Sequence, residues 1–427
     1  MILLKPGDGN YKAALAALNR RAEPDSGVRE TVAEIIAAVR TRGDGALIEL
    51  TERFGGPRLK AKQLRVSAGE FKAAEKRVDA RTRSAVALAH ANVREFARKS
   101  LRKNWSGRNR QGGRVGERFD PFERVGIYVP GGTAPLVSTA VMTCTLAAAA
   151  GVPEIAVTTP ADKTGAVNAA LLHALRVAGA TEVYKVGGAQ AVAALAYGTR
   201  SLAPVLKIFG PGNAYVVEAK RQCFGRVAID LLPGPSEIMI IADGKANAAW
   251  IAADMLAQAE HGLGSVVVFV TDSARKLKEV AGAFKAQLAK LTRQEHLRGV
   301  AETAHLILVK NLNDAVKLAN DFAPEHLALM TADEEKLAEK IRTAGAIFLG
   351  GYSPVVAGDF VAGPSHELPT GGAGKSFSGL TVEQFQLRTS VVRLDRKSLG
   401  ALLPAIRTFS EIEGLDAHGR SAGIRFD

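Results

Sequence analysis

Three short stretches carry residues whose types and spacing suit proton transfer and ligand capture. In Asp254-Met-Leu-Ala-Gln-Ala-Glu-His261-Gly262 an amide and an imidazole stand three residues apart. Positions i and i+3 share one face of a helix, so Gln258 and His261 can point at one target. The glycine that follows suits a helix C-cap and would hold the imidazole at the rim of a cleft. Asn320-Asp-Phe-Ala-Pro-Glu325-His326-Leu sets a carboxylate beside an imidazole, at a proline turn into a strand over Leu327 to Met330. Histidine exchanges a proton near neutral pH, and a neighbouring carboxylate can activate water. Gly350 to Gly379 is rich in glycine and proline and holds Asp359 and His366. So long a loop inside a compact domain is functional or disordered, and its aromatic and aliphatic residues argue against a disordered linker. Each stretch also has a plainer reading: an exposed helix end with a satisfied histidine, or a strand-start histidine beside a solvent-facing glutamate.

The elements that must position these residues follow from apolar patterning. Residues 10 to 54 read as short helices, with Ala-Glu-Ile-Ile-Ala-Ala-Val as an apolar stripe, and Ser67-Ala-Gly-Glu70 is a capping box opening a helical segment to about Leu101. From Arg124 onward, strand-like runs alternate with Ala-rich helices: Ile155-Ala-Val-Thr, Val183-Tyr-Lys-Val, Leu206-Lys-Ile-Phe and Glu237-Ile-Met-Ile-Ile-Ala. The rhythm resumes at Val266-Val-Val-Phe-Val, Leu306-Ile-Leu-Val, Leu327-Ala-Leu-Met and Ala346-Ile-Phe-Leu. This predicts two mostly parallel α/β units joined near Pro233 to Ser236. Ligands in such sheets bind outside the carboxyl ends of strands, where three glycine loops fall: Tyr128-Val-Pro-Gly-Gly132, Val186-Gly-Gly-Ala-Gln190 and Gly210-Pro-Gly-Asn213. No Gly-x-Gly-x-x-Gly follows a strand, and Gly374-Lys375-Ser376 has Pro369 where a P-loop needs glycine. The loops therefore cradle a nucleotide by a non-standard route or simply make turns.

Composition narrows the class. The 427 residues are 47% hydrophobic, enough for a large core divided among two or three domains. Cys144 and Cys223 lie far apart with no Cys-x-x-Cys spacing, so neither a disulfide framework nor a thiolate zinc site is indicated, and a reducing cytoplasm is the expected compartment. The N-terminus reaches charge and turn residues too early for a signal peptide, and no apolar run approaches the ~20 residues that span a bilayer. The net charge of +13 is concentrated in the first 124 residues, with 27 Lys and Arg against 15 Asp and Glu. The run Arg94, Arg98, Lys99, Arg102, Lys103, Arg108, Arg110 offers a rival, nucleic-acid-binding reading. Only Phe96 and Trp105 interleave with it and no nucleic-acid motif accompanies it, so a solvated helix face near an anionic cofactor is preferred.

Together these stretches resemble the histidinol dehydrogenase family. The resemblance covers nearly the whole chain and is densest from Gly126 to Val392. It is carried, in order, by GIYVPGG, VGGAQAVAALAYGT, FGPGNAYVVEAK, PGPSEIMIIAD, AQAEHG, FAPEHL, the AGDF and GPSHELPTGG loop, and the tail EGLDAHGRS. Phe360 stands where the family often has tyrosine, and GPSHELPT replaces a commoner Gly-Thr-Asn-His form; neither alters an implied ligand or catalytic group. The resemblance implies oxidation of L-histidinol to L-histidine, the last step of histidine biosynthesis, by a homodimer using two NAD and one Zn2+ per subunit. A related zinc- and NAD-dependent dehydrogenase of another small polar alcohol is the alternative.

The implied fold is two Rossmann-like, incomplete and mostly parallel α/β domains. A helical N-terminal segment, 1–127, is expected to pack on the second; 128–236 carries the NAD loops; 237–380 carries zinc and catalytic residues; and 381–427 is a dimer-crossing tail. Carried over by position, zinc falls to Gln258, His261, Asp359 and His418, the last donated by the partner subunit. His326 becomes the general base and Glu325 the group that activates water. Ser236, His366 and Glu413, with the zinc and catalytic residues, become substrate contacts, and Tyr128, Gln190 and Asn213 the NAD contacts.

Overall fold

The computed structural model describes residues 1–18, 26–131, 135–262, 264–291 and 294–427; Gly132, at the end of the first glycine loop, lies outside the described residues. Both predicted α/β units are present. In the first, five parallel strands lie in the order Glu182–Tyr184, Glu154–Thr158, Arg124–Tyr128, Lys207–Phe209, Ala228–Ile229. In the second, six parallel strands lie in the order Ile2–Leu4, His305–Leu308, Val266–Thr271, Glu237–Ala242, His326–Met330, Ala346–Leu349.

The strands are continuous apolar runs because both faces are covered. Val125 and Ile127 enter one core and Tyr128 the opposite one; likewise Ile238 and Ile240 face one layer while Met239 and Ile241 face the other. Among the described residues no helix is long and apolar enough to cross a membrane.

The N-terminal segment departs from expectation. Among its described residues, strand Ile2–Leu4 and helix Tyr11–Leu18 join the second unit. Helices Ser26–Arg42, Asp44–Arg53, Ala68–Arg77 and Ala80–Ser100 pack instead on the first, because their apolar stripes, such as Val32, Ile35, Ile36 and Val39, meet the helices covering its sheet. The Ser67–Glu70 capping box forms as predicted, but its helix ends at Arg77 and a second begins at Ala80, capped by Asp79 accepting from Thr82 N. The chain also builds a third, antiparallel sheet from Trp105–Arg108, Arg114–Pro121 and Gln386–Arg393. The basic run thus divides among a helix end, the connection that follows it, where Arg102 pairs with Glu383, and this sheet.

Candidate active site

The two sheets meet in opposite senses. Loops at the carboxyl ends of the first sheet face residues at the amino ends of the second: Ser236 just before strand Glu237–Ala242, and Glu325 and His326 at the head of strand His326–Met330. The rule that ligands sit at carboxyl ends describes the first unit and not the second. Helix Ala248–Ala259 runs back along the second sheet, so its C-terminal end delivers Gln258 and then His261 to the same amino edge. Gly262, at φ +97°, closes that end as the spacing predicted.

Asp359 arrives differently. The glycine-rich stretch contains a six-residue helix, Val355–Phe360, that its pattern does not announce. This helix lies so close to strand Ala346–Leu349 that a Cβ on Gly358 would stand 2.6 Å from the Phe348 ring.

A cavity of about 410 Å³ gathers Ser236, Gln258, His261, Glu325, His326, Asp359 and His366. The buried Glu325 Oε2 accepts from Ser236 Oγ at 2.6 Å and from Glu237 N at 2.7 Å. Burial, opposed by those donors and His326, pushes its pKa up to about 7. His326 Nδ1 lies 3.0 Å from the Glu237 carbonyl, which only accepts, so Nδ1 carries the hydrogen and Nε2 is left for proton exchange. Asp359 Oδ1 stands 3.5 Å from that Nε2. Burial works to depress His326, but the Glu325 and Asp359 carboxylates outweigh it and its pKa is raised. His366 donates through Nδ1 to the Asp359 carbonyl at 2.7 Å, with Nε2 3.2 Å from Thr139 Oγ1, tying the Asp359 helix to the first unit.

The ligand chemistry fits a divalent cation in part. Burial disfavours a charge on Asp359, but three imidazoles overcome it and hold its pKa below the usual range, so the carboxylate is ionised. His261, exposed at the mouth yet closely surrounded, has its pKa lowered by burial of the ring and stays neutral. Buried Gln258 keeps an amide Nε2 with no hydrogen-bond partner, and a flip of the side chain would turn oxygen there instead. These are the states a cation's ligands need. Among the described residues no group of three or more His, Cys, Asp and Glu is arranged to hold a metal, because this chain contributes one imidazole, one carboxylate and one amide. The remaining expected ligand, His418, lies elsewhere, in a shallow cavity formed with Arg396, Ile406 and Arg425; Glu413 is exposed at the end of helix Arg396–Ile412.

Tyr128, Gln190 and Asn213 line a second cleft of about 530 Å³ with Pro160, Gly188 and Tyr215. Tyr128 OH accepts from Gly188 N at 3.1 Å, and Asn213 Oδ1 caps helix Ala214–Cys223. Asp254 is a cavity residue the sequence reading did not assign. Burial pushes its carboxyl up to about 6, and its spacing to Gln258 and His261, i, i+4 and i+7, was the available signal.

A buried carboxylate–imidazole couple between two parallel sheets, beside a second large cleft, defines a two-site α/β enzyme. The sequence model for histidinol dehydrogenase matches residues 18–426. The chain is 45% identical to histidinol dehydrogenase of Bradyrhizobium diazoefficiens over 98% of its length and 97% of the relative's. It is 47% identical to that of Rhodopseudomonas palustris over 93% and 94%. The crystal structure of histidinol dehydrogenase from Elizabethkingia anophelis superposes with a TM-score of 0.95 at 32% identity, covering 100% of this chain and 98% of that one. An acetylating aldehyde dehydrogenase from Geobacillus thermoglucosidasius, at 14% identity and a TM-score of 0.51 over 87% of this chain and 98% of that one, shares the fold alone. The chain belongs to the histidinol dehydrogenase family and is an oxidoreductase.

Proposed function

We propose that this enzyme oxidises L-histidinol to L-histidine at one carbon in two successive hydride removals, as a cytoplasmic homodimer consuming two NAD. The observation that carries this reading is the Glu325–His326 couple held in one cavity with Gln258, His261 and Asp359, next to the cleft of Tyr128, Gln190 and Asn213. Gln258, His261 and Asp359, with His418 of the partner subunit, would hold a zinc ion, whose positive charge would orient the substrate and acidify its hydroxyl.

His326 Nε2 takes the hydroxyl proton as the carbinol hydride passes to the nicotinamide of NAD, giving the aldehyde. Glu325, restrained by Ser236 and the Glu237 amide, removes a proton from the water that adds to the aldehyde, while protonated His326 returns its proton to the aldehyde oxygen, giving the hydrate and a neutral imidazole. The hydrate then loses its second hydride to a fresh NAD, with His326 again accepting the hydroxyl proton, and leaves as the carboxylate. His366 fixes the Asp359 helix throughout. The exposed Phe409 and Ile412 of helix Arg396–Ile412 supply the apolar face on which the tail docks against a partner.

Turnover of L-histidinol with NAD tests the reading: about two NADH are expected per histidine formed. One NADH with release of aldehyde overturns the four-electron assignment, and turnover only of other polar alcohols overturns the substrate.

A further inference from the structure

The loop Gly210-Pro-Gly-Asn213 is the wall between the two cavities: Pro211 and Gly212 line the one with His326, and Asn213 lines the one with Tyr128 and Gln190. Both backbone groups of its first residue are held by charged side chains. Lys220, two turns along helix Ala214–Cys223 and fully buried, donates through Nζ to the Gly210 carbonyl at 2.9 Å. Asp230, just past strand Ala228–Ile229, accepts from Gly210 N at 2.7 Å through Oδ2. The ring closes through an ion pair between Lys220 and Asp230 Oδ1, an electrostatic contact rather than an aligned hydrogen bond; the Asp230 side chain is 2% exposed.

Gly210 itself has φ +108°, and a Cβ there would lie 2.1 Å from the Tyr128 carbonyl oxygen. The first and third glycine loops are thereby pressed together, with no room for the wall to relax sideways. A buried ion pair is poor evidence of stabilisation, since apolar replacements are often neutral. Holding both backbone groups of one residue is better explained by a need for place.

We propose that Lys220 and Asp230 are a positioning pair that locks the partition between the two cavities, and so sets the approach of the nicotinamide to the carbon being oxidised. The proposal rests on the reading of the two cavities given above. Neither residue lines either of the two cavities; both act through Gly210.

The test is the double variant Lys220→Met/Asp230→Asn, which removes the charges together and keeps an acceptor for Gly210 N. Thermal unfolding should remain a single cooperative transition, and KM for histidinol should stay within about twofold. By contrast, kcat should fall about tenfold or more, and the primary deuterium isotope effect on kcat with carbinol-deuterated histidinol should rise, because hydride transfer becomes slower than the steps around it. A folded variant with unchanged kcat and isotope effect overturns the proposal, whether or not its melting temperature drops. Should the double variant not fold, Asp230→Asn, isosteric and still accepting from Gly210, is judged by the same two quantities. Failure of the underlying reading looks different: wild-type protein that neither binds NAD nor turns over histidinol overturns the cavity assignment and this proposal with it.

Discussion

In the proposed role of His326 as base, the Glu237 carbonyl decides which nitrogen exchanges a proton, and two carboxylates how readily. Glu325 and His326 lie 3.5 Å apart and titrate as a coupled pair. The sign follows from the form each must take. Water activation needs the Glu325 carboxylate, lost as pH falls through about 7, and base action needs neutral His326, lost as pH falls through its raised value. Activity should therefore fall on the acid side of about pH 7, and a profile flat down to about pH 5 contradicts the assignment. Ser236→Ala removes a donor that favours the carboxylate and should move this limb to higher pH. His326→Ala should lower kcat by about a hundredfold or more. Cys144→Ala/Cys223→Ala should not, since burial pushes both thiols up to about 12 and leaves almost no thiolate at neutral pH. A dead double cysteine variant beside an active His326→Ala would reverse the roles.

At the scale of elements, the site depends on a helix of only six residues. Val355–Phe360 is placed by its close approach to Phe348 at Gly358 and by His366 gripping the Asp359 carbonyl. Wild-type protein should carry about one zinc per chain, and a chelator should lower both activity and thermal stability, reversed by added zinc. Gly358→Ala should push the helix off the strand, at an overpacking cost of about 1–3 kcal/mol, and move Asp359 with it. Metal analysis after dialysis should then find less zinc retained than in wild type. Equal retention means that the Phe348 ring yields and Asp359 stays.

For the whole molecule, assembly turns on the tail. Its start belongs to the first unit: Leu380, Val382 and Phe385 enter that core, and Phe385 stacks on Phe209 at 3.9 Å. Helices Arg396–Ile412 and Asp416–Gly423 then pack on each other, carrying Glu413 and His418 away from this chain's own cavity. If the partner receives them, a hybrid of His261→Ala and His418→Ala subunits holds one site with both lesions and one with none. Mixing the two inactive proteins should recover about a quarter of wild-type activity when pairing is random. An isolated hybrid no more active than its parents places each site within one chain.

The sequence alone determined the alternation of buried strands and helices, the capping box at Ser67, the glycine closing the helix after His261, and the three glycine loops ending strands. These are legible because hydrophobic period, capping chemistry and turn residues are local. It also set a carboxylate beside an imidazole at Glu325–His326, since the two residues are adjacent. Only the tertiary structure decided that the second sheet offers its amino edge to the first sheet's carboxyl edge, which is what brings Ser236, Gln258, His326 and Asp359 into one cavity. The strand Gln386–Arg393, paired with Arg114–Pro121, and the strand Ile2–Leu4, paired with His305–Leu308, belong to the same class. A strand's partner and a sheet's orientation are chosen by contacts hundreds of residues away in the chain, and no local period encodes them.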